Sequence, residues 1–383
     1  MPHSKIYNER LTRFNDAVAC RTPDRVPVFP IIEQWANFYA GTSIRDSYLK
    51  DPRIEYETFR KVYDDIYVDV SYGTGNLIPL DMMDDFGEGI YVVSDKGVQI
   101  KGSQGCTMKP EEYPQLIADP EKFILETIVP RKYATAADST NAVSHWGKGA
   151  LGLVRWKLYE ETAFQLIERK LNVPIVTRNA TFLPPDIILD FLRDFAGASS
   201  DVRRRPQEFK EACAAMLPIS YRVITETDPF KQGLVFMPLH FPTYLRPKDF
   251  EELYFPSMKG MAEKLLASGR RAMFYCENNW EPYLDIIKDL PGGGVYCLFE
   301  HGDIKKYKET LQGKVCVGGG MPVDLLKNGT REECLDRAKW CLDELAPGGG
   351  YIFALDMNLL SPNDVNPENL AAVTHYIHFN GKY

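Results

Sequence analysis

The chain has 383 residues, 26% of them charged and 44% hydrophobic, the balance of an ordinary globular protein able to bury a large core. Its formal charge of −8 argues against a nucleic-acid partner, which needs a surplus of Lys and Arg on one face. The opening Met-Pro-His-Ser-Lys run lacks an apolar signal core, and no later stretch is long and charge-free enough to span a bilayer. A cytoplasmic protein with no membrane partner is therefore expected, with its eight cysteines reduced because they lack paired spacing.

Leu11, Phe14 and Val18 at helical spacing predict a helix over 8–18, followed by a buried strand that opens at Thr22-Pro23-Asp24-Arg25-Val26-Pro27-Val28. A short helix is expected over 43–49. Asp51 reads as the N-cap, and Pro52 as the first residue, of a helix running to 63. A strand over 65–72 follows. Residues 89–101 break the rhythm with a hairpin signal centred on Asp95-Lys96-Gly97, a lid or substrate wall. The next expected elements are a strand over 151–156 and helices over 159–171, from Pro184-Pro185 to about 196, and over 206–227.

From Gly233 strands ending at 240 and spanning 271–276, 295–300, 314–318 and 351–355 alternate with helices over 247–268, 280–290, 304–311, 330–345 and 367–377. Alternation of this kind implies parallel pairing, and no repeat or linker divides the chain. The expectation is an α/β fold, one (β/α)8 TIM barrel over residues 1–383, with an N-terminal helical extension and a β-hairpin excursion.

In such a barrel, residues at strand ends converge on the C-terminal mouth. The strand-like runs there carry His240, Cys276, Glu277, Cys297, Glu300, His301 and Cys316. A catalytic zinc takes three ligands from these residue types. Plainer roles compete: Cys297, between Tyr296 and Leu298, suits core packing as well as ligation. A strand-end histidine such as His240 is often a hydrogen-bonded structural group. Cys334 and Cys341 share a helix face and read as packing, and Cys20, Cys106 and Cys213 as structural. The Gly318-Gly319-Gly320 run reads as close backbone approach rather than a phosphate cradle, because no Lys or Arg sits within it.

Over nearly its whole length the chain resembles the uroporphyrinogen decarboxylase superfamily. The resemblance rests on the Thr22 to Val28 opening, Phe255-Pro256-Ser257, the glycine turn with Pro322, and Gly348-Gly349-Gly350-Tyr351-Ile352 followed by Pro367-Glu368-Asn369-Leu370. It implies an eight-unit barrel with its active site at the C-terminal mouth. The true decarboxylases carry an arginine-rich segment after the first strand, where this chain has Ile31-Ile32-Glu33-Gln34-Trp35, so a tetra-acid porphyrinogen is not expected. The thiol methyltransferase branch holds zinc by a His-x-Cys pair and a distant Cys. Here Phe274 stands at the His position, Cys276 remains, and Met357 or its neighbours replace the last ligand.

The ether-cleaving, corrinoid-dependent methyltransferases of O-demethylase systems resemble the chain better, through Pro238-Leu239-His240, Cys276-Glu277, Cys316-Val317-Gly318-Gly319 and residues 186–205. That branch implies a zinc-dependent enzyme moving a methyl group from a methoxylated, aromatic small molecule to the cob(I)alamin of a separate corrinoid protein. It implies His240, Glu277 and Cys316 as metal ligands, with Cys276 and Cys297 as alternates, and Glu277, His301 and Asp356 as catalytic groups. Trp35, Phe38, Tyr72, Trp280 and Phe299 are expected to line an aromatic pocket. Alternatives are methyl transfer from a corrinoid to a thiol, a decarboxylase-like reaction, and, from a different class, a non-catalytic binding barrel. A homodimer is compatible with the sequence.

Overall fold

A computed structural model describes residues 3–49, 51–73, 79, 82–83, 91–94, 97–100, 106–133, 142–227 and 233–383. The expected hairpin forms: β1 (Tyr91–Ser94) and β2 (Gly97–Ile100) pair antiparallel with Ser94 opposite Gly97. Its apex, Asp95 and Lys96, lies outside the described residues. Six further strands form one parallel sheet in chain order: β3 (Thr177–Ala180), β4 (Leu234–Leu239), β5 (Arg271–Asn279), β6 (Val295–His301), β7 (Cys316–Met321) and β8 (Tyr351–Leu355).

Two segments without regular ladders complete the ring. Val28 bridges Phe353 of β8 in parallel, Asp69 N–H donates to the Val28 carbonyl at 2.9 Å, and Ser71 bridges Ile175 just ahead of β3. Asp69 adds a side-chain substitute for a ladder bond, its carboxylate accepting the Val28 N–H at 2.9 Å. Fully buried, Asp69 is neutralised by Arg13 of the N-terminal helix Lys5–Val18. That helix sets Phe14 edge-on to Phe29 at 5.4 Å and places Val18 against the barrel's lower interior.

Side chains alternate between two cores, as the two-residue strand period requires. Val70, Tyr72, Val176, Phe236, Met273, Tyr275, Tyr296, Leu298, Cys316, Ile352 and Ala354 pack together inside the ring. Their strand neighbours, among them Leu239, Phe274, Cys276, Cys297 and Phe299, pack outward against the helices. Gly318 lacks a side chain because Tyr296 fills the interior there; a methyl group would stand 2.0 Å from the Tyr296 hydroxyl.

Residues 151–156 are not a strand. They lie within one helix, Ala142–Leu171, and the third barrel strand is Thr177–Ala180 instead. No Gly-Pro or Pro break separates 151–156 from the helical stretch after it, so the short apolar run simply continues the helix, leaving Leu151 and Val154 exposed. Among the described residues no helix is long and apolar enough to cross a membrane.

Candidate active site

Along β4, β5, β6 and β8, and along the segment through Ile31, the interior-facing row ends in a polar residue at the C-terminal mouth. Phe236 leads to His240, Met273 and Tyr275 to Glu277, Leu298 to Glu300, Ala354 to Asp356, and Ile31 to Glu33. Register then decides which of these meet. Leu239 of β4 pairs with Cys276 of β5, so the next residues, His240 and Glu277, stand side by side with Nε2 and Oε1 3.4 Å apart.

The other imidazole nitrogen, Nδ1, is 2.8 Å from Asp190. Asp190 comes from a widened π turn, Ile188–Arg193, that continues the helical turn Pro184–Ile187. Four residues earlier, and so on the same helical face, fully buried Asp186 accepts the backbone N–H groups of His240 and Phe241 at 3.0 Å each and the Tyr254 hydroxyl. Asp186 thus fixes the backbone of the strand end while Asp190 fixes the ring. The π turn stops at Asp194, whose φ of 56° and ψ of 177° is a conformation that residues with a Cβ adopt only at a cost. Such turns and strains cluster at functional sites.

Burial works against a charged His240, but the hydrogen bond and charge of Asp190, with the charges of Glu277 and Asp186, outweigh it and raise the pKa to about 9. The ring is an imidazolium at neutral pH. Glu277 is pushed above the ordinary carboxylate value by burial and by its neighbours Glu300 and Asp190, although His240 pulls the other way. Glu300 accepts the Tyr275 hydroxyl at 2.9 Å and the Asn278 N–H at 2.8 Å. Glu33 accepts from the Asn358 amide at 2.8 Å, and the dense protein around it raises its pKa to about 7. Burial also raises Asp356, which accepts the Val323 N–H at 2.8 Å.

The expected site residues divide into groups. His240 and Glu277 come together. His301 and Asp356 share a neighbouring recess of about 200 Å³ with Glu300 and Arg337. Cys316 does not join them: it opens β7 opposite Tyr296, which is opposite Met273, four residues below Glu277. At about 3.3 Å per residue that is a drop of roughly 13 Å towards the barrel floor. Cys276 and Cys297 face the helices, on the wrong side of the strands. Among the described residues, no three His, Cys, Asp or Glu side chains are grouped to hold a metal ion, so the three-ligand zinc set is not assembled.

The aromatic pocket also needs correction. Trp35, Trp280 and Phe299 are buried in the helix-facing core. Trp280 acts as a prop, its indole N–H donating to the Glu277 carbonyl at 2.9 Å. Tyr72 lies inside the barrel, edge-on to Phe236 at 5.2 Å. Phe38 packs with Ile44 against Val93 and Val98 of the hairpin. Asp190, Tyr275 and Glu33 were not anticipated as site residues. Glu33 could have been found from its place two residues beyond Ile31 on the interior row, whereas Asp190 reaches the mouth through tertiary packing alone.

No curated protein sequence matches the chain. The fold is similar to that of a methyltransferase from Methanosarcina mazei, at 14% sequence identity and a TM-score of 0.65, covering 97% of this chain and 98% of that one. The mouth residues Asp190, His240, Glu277, Glu300 and Asp356 all lie between residues 190 and 379, which the model of the uroporphyrinogen decarboxylase (URO-D) family matches. Over that segment the chain is similar to the uroporphyrinogen decarboxylase family.

Proposed function

We propose that the chain is a methyltransferase that takes a methyl group from a methoxylated, aromatic small molecule and passes it to the cob(I)alamin of a separate corrinoid protein. Two observations favour methyl transfer over porphyrinogen decarboxylation: the likeness in fold to the Methanosarcina mazei methyltransferase, and a mouth that gathers the carboxyl groups of Glu33, Glu277, Glu300 and Asp356 rather than the arginines a tetra-acid would need. The observation that carries the reading is the His240 imidazolium held between Asp190 and Glu277.

An aryl methyl ether reacts slowly because its phenolate is a poor leaving group. The corrinoid supplies the nucleophile that accepts the methyl group. As the C–O bond breaks, its electron pair passes to the aryl oxygen, and His240 Nε2–H protonates that oxygen. A phenol has a pKa of ~10. The His240 value of about 9 is close to it, the matched condition under which general acids work best. Asp190 keeps the remaining proton on Nδ1, and Glu277, open to solvent on one side, returns a proton to Nε2. The zinc implied by the resemblance would draw on His240 and Glu277, and no third Cys, His or carboxylate is grouped with them to complete its set among the described residues.

The test is to mix the protein with reduced cobalamin and a series of methoxyarenes and to follow the methylcobalamin spectrum. Methyl transfer is expected, and His240→Gln should slow it by roughly 10²- to 10⁴-fold, most for the poorest leaving groups. Absence of methylcobalamin with every ether, or transfer to thiols alone, would sink this reading.

A further inference from the structure

We propose that a side pocket behind the aromatic wall of His240 binds an apolar carboxylate, whose anion pairs with Lys132. The pocket is a cavity of about 350 Å³ between the end of β3, the helix Pro206–Thr227 and the helical stretch that ends at Lys132. Its volume is at the lower end of the range for small-ligand sites. Ile124, Ile187, Met216 and Ile219 give it an apolar lining.

The polar groups in that lining are already engaged, with one exception. Thr181 donates its hydroxyl to the Ser220 carbonyl at 3.2 Å, and Ser220 donates to the Met216 carbonyl at 3.4 Å. Lys132 is the exception. Its ammonium lies over the Phe191 ring, 5.2 Å from the centroid, and meets no carboxylate among the described residues. Arg131, its neighbour, is paired with Glu112. Burial lowers the Lys132 pKa, and no group among the described residues offsets it. A partly buried, uncompensated cation in an apolar cavity is costly unless an anion joins it. An apolar body bearing one carboxylate satisfies both halves of the pocket, whereas an amine or a polyanion does not.

The pocket adjoins the mouth without being part of it. Phe191 meets Phe182 edge-on at 5.1 Å, and Phe182 meets the His240 ring edge-on at 6.0 Å. These two rings form a wall between the cavity and the Asp190–His240–Glu277 group. Nothing in the proposal depends on methyl transfer.

Titration calorimetry of the full chain with octanoate, octanol and octylamine tests it. Octanoate is expected to bind one to one and more tightly than either comparison compound. Lys132→Met should weaken octanoate on the order of tenfold, the loss of a charge-assisted contact, and leave octanol unchanged. Lys132→Glu should exclude octanoate and favour octylamine. Thermal melting establishes that both variants are folded. Equal binding of octanoate and octylamine by the unmodified chain, no octanoate binding at millimolar concentration, or octanoate affinity unchanged in Lys132→Met would overturn the proposal.

Discussion

His240 Nε2 stands 3.4 Å from Glu277 Oε1 because Leu239 and Cys276 are paired in adjacent parallel strands, so the residues after them leave the sheet side by side. With Asp190 2.8 Å from the opposite nitrogen, the imidazole has a carboxylate on each side. The pairing explains why the ring carries a proton at neutral pH.

The first prediction concerns that proton. Because the folded pKa is raised from 6.5 to about 9, the stabilisation it reflects is complete below about 6.5 and disappears as pH rises through about 9. Asp190→Asn should bring the His240 pKa back towards its ordinary value. NMR titration of the imidazole would show it, and the alkaline limb of the methyl-transfer profile should move to lower pH in step. An Asn variant that titrates like the wild type would break the link between Asp190 and His240.

Asp186 gives a slope of its own. Burial raises its pKa from 3.8 to about 7 despite the bonds from Tyr254 and Phe241 and the nearby charge of His240. The stability it contributes is therefore present below about 4 and lost as pH rises through about 7. Asp186→Asn keeps an acceptor for the two backbone N–H groups and removes the titration. Denaturant midpoints between pH 4 and 8 should vary less in this variant than in the wild type.

Arg13 neutralises a carboxylate that the barrel uses as a structural strap. Asp69 is fully buried and also accepts the Tyr67 hydroxyl at 2.8 Å. Arg13→Met leaves it uncompensated and should cost roughly 3–5 kcal/mol, read from urea unfolding. Asp69→Asn combined with Arg13→Met should recover part of that loss, since the stranded charge is gone.

Cys316 provides a contrast with the mouth. Burial pushes its thiol well above the ordinary value, and it lies deep in the barrel interior. Cys316→Ala should cost about 1–2 kcal/mol as a small cavity and leave the His240 titration unchanged. Metal analysis of the purified variant should match the wild type. Loss of bound zinc in this variant alone would mean that the mouth reaches further down the barrel than the register allows.

Several elements were legible because their signals are local. The helices Pro206–Thr227 and Ile304–Leu311 and the strand Tyr351–Leu355 have the expected bounds. Asp51 caps its helix through the Arg53 N–H with Pro52 in the first turn, and Thr330 forms a capping box with Glu333. Continuous apolar runs likewise marked β4 to β6 and put His240 and Glu277 at strand ends. The strand Thr177–Ala180 was missed because Thr-Arg-Asn-Ala has no apolar run, and the apolar run that was chosen instead belongs to a helix.

By itself the sequence determined the α/β alternation, the hairpin and the mouth-end positions of His240 and Glu277, since propensity, capping and strand period act over a few residues. Only the tertiary structure decided which of the candidates share a site. Parallel register placed His240 beside Glu277 and left Cys316 roughly 13 Å below, and strand parity turned Cys276 and Cys297 towards the helices. A residue's height and facing in a barrel depend on how whole strands are staggered, and Asp190 arrives from a helix that touches this strand end only once the chain has closed.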